Sequence, residues 1–176
     1  MPSASQTRIA WAFVAAQAAL LVALVAAPGA DWWPTGGAVT AVAIVVVVGG
    51  FVLLGLASLG LGRALTPLPT PTASGDLVTT GLYRFVRHPI YSAVLAVVAG
   101  LVLRSGGGWR LVAGVALVVF FSVKARWEER RLVERFPGYA EYARRTPRFV
   151  PRPRTRPAST AGPTTPPKPD EPGASS

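Results

Sequence analysis

A chain of 176 residues that is 51% hydrophobic and carries 18 Lys and Arg against 8 Asp and Glu does not read as an ordinary soluble globule. It contains no cysteine, which excludes a disulfide framework, a thiolate metal site and a cysteine nucleophile within it, and no other metal-ligand pattern stands out. The net charge of +10 would point to nucleic acid in a soluble protein, but its placement beside long apolar stretches points to membrane lipids and to no nucleic-acid partner.

Residues 9–27 are apolar apart from Gln17, and residues 38–61 run for 24 residues without a charge. Both are long enough to span a bilayer as helices. A secretory signal peptide is the competing reading of the first stretch, with residues 28–30 as its cleavage region. The single preceding Arg8 and the length of the run favour a membrane span.

Residues 89–123 are apolar except for Arg104 and Arg110, which bracket a turn containing Gly106, Gly107 and Gly108. Each half holds roughly 15 residues, or about 23 Å of helix, so a helical hairpin is expected that crosses by local thinning or enters without fully crossing. Arg8 precedes the first span, no Lys or Arg lies between the first two spans, and twelve follow Val123. The positive-inside rule therefore places both termini in the cytoplasm, with four membrane segments.

Between the second span and the hairpin, Pro67, Pro69 and Pro71 favour an extended connector. After the hairpin, residues 124–136 read as a separate amphipathic helix that turns Trp127, Leu132, Val133 and Phe136 toward the membrane or the hairpin, and Pro137 and Gly138 end it. A shorter helical piece covers residues 139–145, and the eight prolines of residues 151–176 predict a disordered tail. The expected architecture is all-α and integral to the membrane. It has two N-terminal spans in residues 1–61, a core in residues 62–150 and the Pro-rich tail.

Two clusters are able to carry chemistry. In Gly81-Leu82-Tyr83-Arg84-Phe85-Val86-Arg87-His88-Pro89-Ile90-Tyr91, the residue before a proline is pushed out of the α region and the proline suits the first helical position. His88 is thus expected to cap the hairpin helix, whose N-terminal dipole, flanked by Arg84 and Arg87, makes an anion site. The second cluster is Glu128 and Glu129, which the hairpin would return to face the first. A basic snorkelling cluster and local salt bridges from the glutamates to Arg131 or Lys124 are the plainer readings. A cationic cap opposite carboxylates suits a zwitterionic ligand such as S-adenosylmethionine, and no Gly-x-Gly-x-x-Gly follows a strand pattern.

Gly81-x-Tyr83-x-x-x-Arg87-His88-Pro89-x-Tyr91, then Glu128-Glu129-x-x-Leu132-x-x-x-Phe136, then Tyr139-x-x-Tyr142 and Pro147, resembles the signature of the isoprenylcysteine carboxyl methyltransferase and phospholipid methyltransferase superfamily. The resemblance implies an S-adenosylmethionine-dependent enzyme acting on a lipophilic acceptor, either an isoprenylcysteine-type carboxylate or a lipid amine. It implies cofactor contacts from Leu77, Val78, Tyr83, Arg87, His88, Pro89, Ile90, Tyr91 and Glu128, with Glu129 as a supporting neighbour. His88 or Glu128 would supply a base where an amine acceptor needs one.

Two positions depart from the family pattern. Lys124 stands where an arginine is expected, losing the bidentate fork that suits a carboxylate, with Arg126 close enough in sequence to compensate. Ala93 stands where the family has glycine, adding a methyl group at an expected close approach of helices. Membrane sterol-type reductases look similar through Arg87-His88-Pro89-x-Tyr91 and would bind NADPH there, although with more membrane helices. A non-catalytic protein that docks through its basic tail is the alternative outside enzymology.

Overall fold

The computed structural model describes residues 4–27, 32–61 and 77–152. The expected cleavage region at 28–30, the prolines of the connector and the tail beyond residue 152 lie outside them. The described residues form five α-helices: α1 (Ala4–Ala26), α2 (Gly37–Leu61), α3 (Pro89–Ser105), α4 (Gly108–Arg135) and α5 (Tyr139–Arg145), with a 3₁₀ turn at Gly81–Arg84. Three of them, α1, α2 and α4, are long and apolar enough to cross a membrane, and α3 is a shorter apolar helix of 17 residues.

One boundary differs from the sequence expectation. The second arm of the hairpin does not stop at Val123, and the amphipathic segment is not a separate helix. A single helix of 28 residues runs from Gly108 to Arg135. The onset of charge at Lys124 marks a change of surroundings rather than of backbone, because Lys, Ala, Arg and Glu are all good helix formers. Only Pro137 and Gly138 stop it, as expected. At 1.5 Å per residue α4 is about 42 Å long, so it crosses the hydrocarbon core and carries its last turns beyond it.

Packing follows two antiparallel pairs, α1 on α4 and α2 on α3, joined by contacts between α3 and α4. Within a bilayer, lipid tails are as apolar as leucine, so close van der Waals fit selects partners. The α2–α3 crossing shows that fit. A Cβ on Gly50 would lie 3.1 Å from the Ala93 carbonyl oxygen, and a Cβ on Gly100 would lie 2.9 Å from the Ala43 carbonyl oxygen. Ala93 is fully buried, and it is Gly50 on the facing helix that makes room for its backbone. The small residue that the family places on α3 has its counterpart across the interface. Gly55 has open space around it and takes no part.

Leu24, Val98, Val102, Leu117 and Phe121 form the buried core, with Tyr91 and Phe149 packed against it. At one end of the bundle, the Trp33 indole donates to the Leu103 carbonyl at 3.0 Å, and the Trp32 amide donates to Gly106 at 2.8 Å. Gly106, with φ of 61°, makes the left-handed turn between α3 and α4. The opposite end collects the start of α1, the end of α2, the 3₁₀ turn, the start of α3, the end of α4 and α5. Arg87, His88, Tyr91, Lys124, Glu128 and Glu129, all singled out for chemistry, gather there.

Candidate active site

The site begins with Gly81, whose φ of 59° lies in the left-handed region that a side chain resists. Nothing lies within 4 Å of where its Cβ would be, so backbone conformation and not space explains the glycine that opens the motif. The turn buries Tyr83, whose carbonyl accepts a 2.5 Å hydrogen bond from the Tyr142 hydroxyl of α5. Burial, assisted by the Glu128 carboxylate, pushes the Tyr83 phenol up to about 12.

His88 caps α3 with φ −125° and ψ 64°, and Pro89 is the first helical residue. The His88 ring is 9% exposed and stacks on Tyr91, with centroids 5.2 Å apart and planes 1° from parallel. Each ring nitrogen faces a carboxylate: Nε2 is 3.0 Å from Glu129 Oε1, and Nδ1 is 3.6 Å from Glu128 Oε2. The Tyr91 hydroxyl donates a short hydrogen bond to Glu128. The start of α3 and the end of α4 therefore meet through four side chains separated by about 40 positions in sequence, as the hairpin requires.

The two glutamates differ in what surrounds them. Glu129 is saturated: Arg148 grips it with a fork, Nε at 3.0 Å and NH2 at 2.5 Å, while Arg87 Nε donates at 3.1 Å and His88 takes a further contact. Glu128 is held by Tyr91 and His88 alone among the described side chains. Local helical salt bridges do not account for either carboxylate. Arg131 instead lies over the Trp127 ring, 3.1 Å from its centroid.

Lys124 is 4% exposed and donates to Gln17 Oε1 of α1 at 2.8 Å, with its ammonium 5.2 Å from the Tyr91 ring centroid. Arg126 is exposed on another face of α4 and does not join the site, so it does not compensate for lysine at position 124. Each residue turns a helix by about 100°, so a shift of two positions from Lys124 carries a side chain about 200° round, to the far side. Leu77, Val78 and Ile90 are half-buried and Pro89 is fully buried.

The Arg87 side chain and the two amides that precede α3 are engaged within the chain. The amides of Arg87 and His88 donate to the carbonyls of Pro147 and Arg148, at 2.9 and 3.1 Å. Arg87 NH1 is held by the carbonyls of Ala143 and Thr146, at 2.5 and 3.1 Å. Residues 146–149 thus form a strap across the helix start, fastened further by a 2.7 Å contact from Ser92 Oγ to the Phe149 carbonyl.

Two participants, Arg148 and Gln17, escape motif reading, and a third, Tyr139, entered only as part of the family motif with no role assigned to it. Arg148 was visible only as one arginine in a basic C-terminal region. Gln17 had the clearer signal, since a lone polar residue in an apolar span marks an interior contact. Tyr139 lies 2% exposed beside the cluster, and its hydroxyl has no hydrogen-bond partner among the described residues. Burial, reinforced by Glu129, raises its pKa.

An all-α bundle with three helices long and apolar enough to span a bilayer defines an integral membrane protein, with a polar, ion-paired cluster at one end. Residues 36–138 match the phospholipid methyltransferase family, and the chain belongs to that family. The matched region starts just before α2, includes the whole α3–α4 hairpin and ends before α5. The chain is also similar to the cobalt-zinc-cadmium resistance protein CzcN of Cupriavidus metallidurans, 39% identical over 80 residues, which is 45% of this chain and 37% of that protein. It is similar to the nickel-cobalt-cadmium resistance protein NccN of Alcaligenes xylosoxydans xylosoxydans, 35% identical over 80 residues, or 45% of this chain and 38% of that one. These matches span little more than a third of the relatives' own lengths.

Proposed function

We propose that the chain transfers a methyl group from S-adenosylmethionine to a lipophilic acceptor bearing a carboxylate or an amine, at the cytoplasmic face of the membrane. One observation carries the reading. Glu128 is held by Tyr91 and His88 at the meeting point of α3 and α4, one helical turn after the buried Lys124, with a carboxylate less heavily paired than its neighbour. Family membership supports the reaction class.

The residues present fit the cofactor. Its cationic sulfonium and ribose hydroxyls call for a buried carboxylate, which Glu128 provides. The unpartnered Tyr139 hydroxyl leaves a buried polar atom free to meet a ligand group. The bound cofactor would supply an electrophilic methyl group whose departure from sulfur needs no general acid.

What the protein contributes is position and surroundings. Tyr83, His88 and Tyr91 wall the carboxylate on the α3 side. Glu129, with Arg87 and Arg148, fixes the His88 ring against it. The site's place at the end of spanning helices lets a water-soluble cofactor arrive from one side and an apolar acceptor from the bilayer. For a carboxylate acceptor, the Lys124 ammonium would supply the opposing charge, and charge neutralisation in a dry pocket favours the collapse to an ester. For an amine acceptor, His88 or Glu128 would remove a proton.

The relatives' names concern metal resistance. Among the described residues no group of three His, Cys, Asp or Glu side chains is arranged to hold a metal ion.

The test is incubation of purified protein with methyl-labelled S-adenosylmethionine and membrane lipid extract, followed by mass identification of labelled material in the organic phase. Label in a lipophilic product, lost in Glu128→Gln, is the expected result. Binding of NADPH without S-adenosylmethionine would overturn the reading in favour of a reductase. Unchanged cofactor binding in the His88→Ala and Glu128→Ala variants would point to a non-catalytic docking protein.

A further inference from the structure

Beside the strap, and sharing Arg87 and Arg148 with the Glu129 ion pairs, lies an open hollow of about 700 Å³. Six arginines line it, Arg84, Arg87, Arg144, Arg145, Arg148 and Arg152, and no acidic residue does. Three of these are committed. Arg87 and Arg148 hold Glu129, and Arg145 pairs with Glu141 at 2.5 Å. Arg84, Arg144 and Arg152 have no carboxylate partner among the described residues. Like charges this dense repel one another unless an anion joins them.

The hollow's surroundings are those of a membrane interface. The 3₁₀ turn that supplies Arg84 packs against the end of α2, so the hollow opens at the level where the spanning helices end. Phe85 lines it and is 43% exposed, with the Arg84 guanidinium 4.4 Å from its ring centroid. Val150, between the lining residues Arg148 and Pro151, is 74% exposed. Exposed apolar side chains beside unpaired guanidinium groups match a ligand that is anionic at one end and hydrocarbon at the other.

We propose that this hollow seats the phosphate of an anionic membrane lipid, with its acyl chains against Phe85 and Val150, and that the bound lipid clamps residues 146–149 onto the bundle. Its volume falls in the range that receives a molecule larger than a single phosphate. This goes beyond the methyl-transfer reading and does not depend on it.

The experiment uses the full chain in a neutral detergent. Short-chain phosphatidylglycerol, short-chain phosphatidylcholine and inorganic phosphate are titrated by calorimetry, and thermal unfolding is followed with each. Phosphatidylglycerol is expected to bind best and to raise the unfolding temperature, since a ligand bound only by the native state stabilises it. The exposed pair Arg144→Gln and Arg152→Gln is expected to weaken that binding by about fivefold for each arginine removed. Equal binding of the neutral lipid, or equal binding of inorganic phosphate, would overturn the proposal. So would displacement of the lipid by S-adenosylmethionine, which would make the hollow part of the cofactor pocket.

Discussion

Lys124 on α4 donates a 2.8 Å hydrogen bond to Gln17 on α1, joining residues 107 positions apart. It ties the first helix to the site and gives the lone polar residue of that helix a partner. Replacing Gln17 by leucine would leave the buried ammonium without that acceptor, at a cost of about 1–3 kcal/mol. We expect a lower unfolding temperature in detergent and weaker methyl transfer in Gln17→Leu, with recovery in Gln17→Glu. If α1 is only an anchor, Gln17→Leu will be silent in both measurements.

Gly81 is required by its backbone alone, because open space surrounds it. An alanine there must adopt a left-handed conformation, costing about 1–2 kcal/mol. Gly100 is the opposite case, since a Cβ would meet the Val47 side chain at 2.6 Å and the Ala43 carbonyl at 2.9 Å. Backbone cannot yield as a side-chain tip does, so Gly100→Val should part α2 from α3. The measurements are folded yield after membrane extraction and unfolding temperature. Gly81→Ala should fold with reduced stability, whereas Gly100→Val should fail to give a monodisperse protein.

Tyr83 and Tyr142 both have phenols pushed up to about 12, chiefly by burial. Their unfolded value is 10.0, so the native protein holds these protons to higher pH than the unfolded chain does. Their contribution to stability is complete below pH 10 and drains away as pH rises from 10 towards 12. Unfolding temperature should fall across that window. The fall should be shallower in Tyr83→Phe with Tyr142→Phe, a variant that starts less stable at neutral pH because it lacks the Tyr142 bond to the Tyr83 carbonyl.

The helices were legible because bilayer length and apolar composition leave few alternatives, and the His88-Pro89 pair marks the start of α3 through backbone sterics. The continuity of α4 past Lys124 was not, because hydropathy reports surroundings while helix propensity continues unbroken. At the site, the meeting of the two clusters follows from hairpin geometry, which returns α4 to where α3 began. The partners of Glu129 were hidden for a different reason. Arg87 was read as facing an external anion, yet the strap of residues 146–149 turns inward and delivers Arg148. Such a return depends on tertiary contacts of an irregular segment, whose course no periodicity records.

That strap separates the roles of the two adjacent glutamates. Glu129 is 13% exposed and pairs with two arginines as well as with the His88 ring, so its removal leaves both guanidinium groups with no carboxylate among the described residues. Breaking a buried ion pair from one side costs on the order of 3–5 kcal/mol, so Glu129→Gln should unfold at a much lower temperature. Glu128→Gln should behave differently, because a neutral amide oxygen still accepts from Tyr91. Its stability should lie within about 1 kcal/mol of the parent, while loss of the charged acceptor should weaken S-adenosylmethionine binding by about 10- to 100-fold. Unfolding temperature and cofactor affinity, measured on both variants, therefore form a crossed pair. If Glu128→Gln unfolds early and Glu129→Gln alone loses affinity, the assignment of binding to the first glutamate and support to the second is reversed.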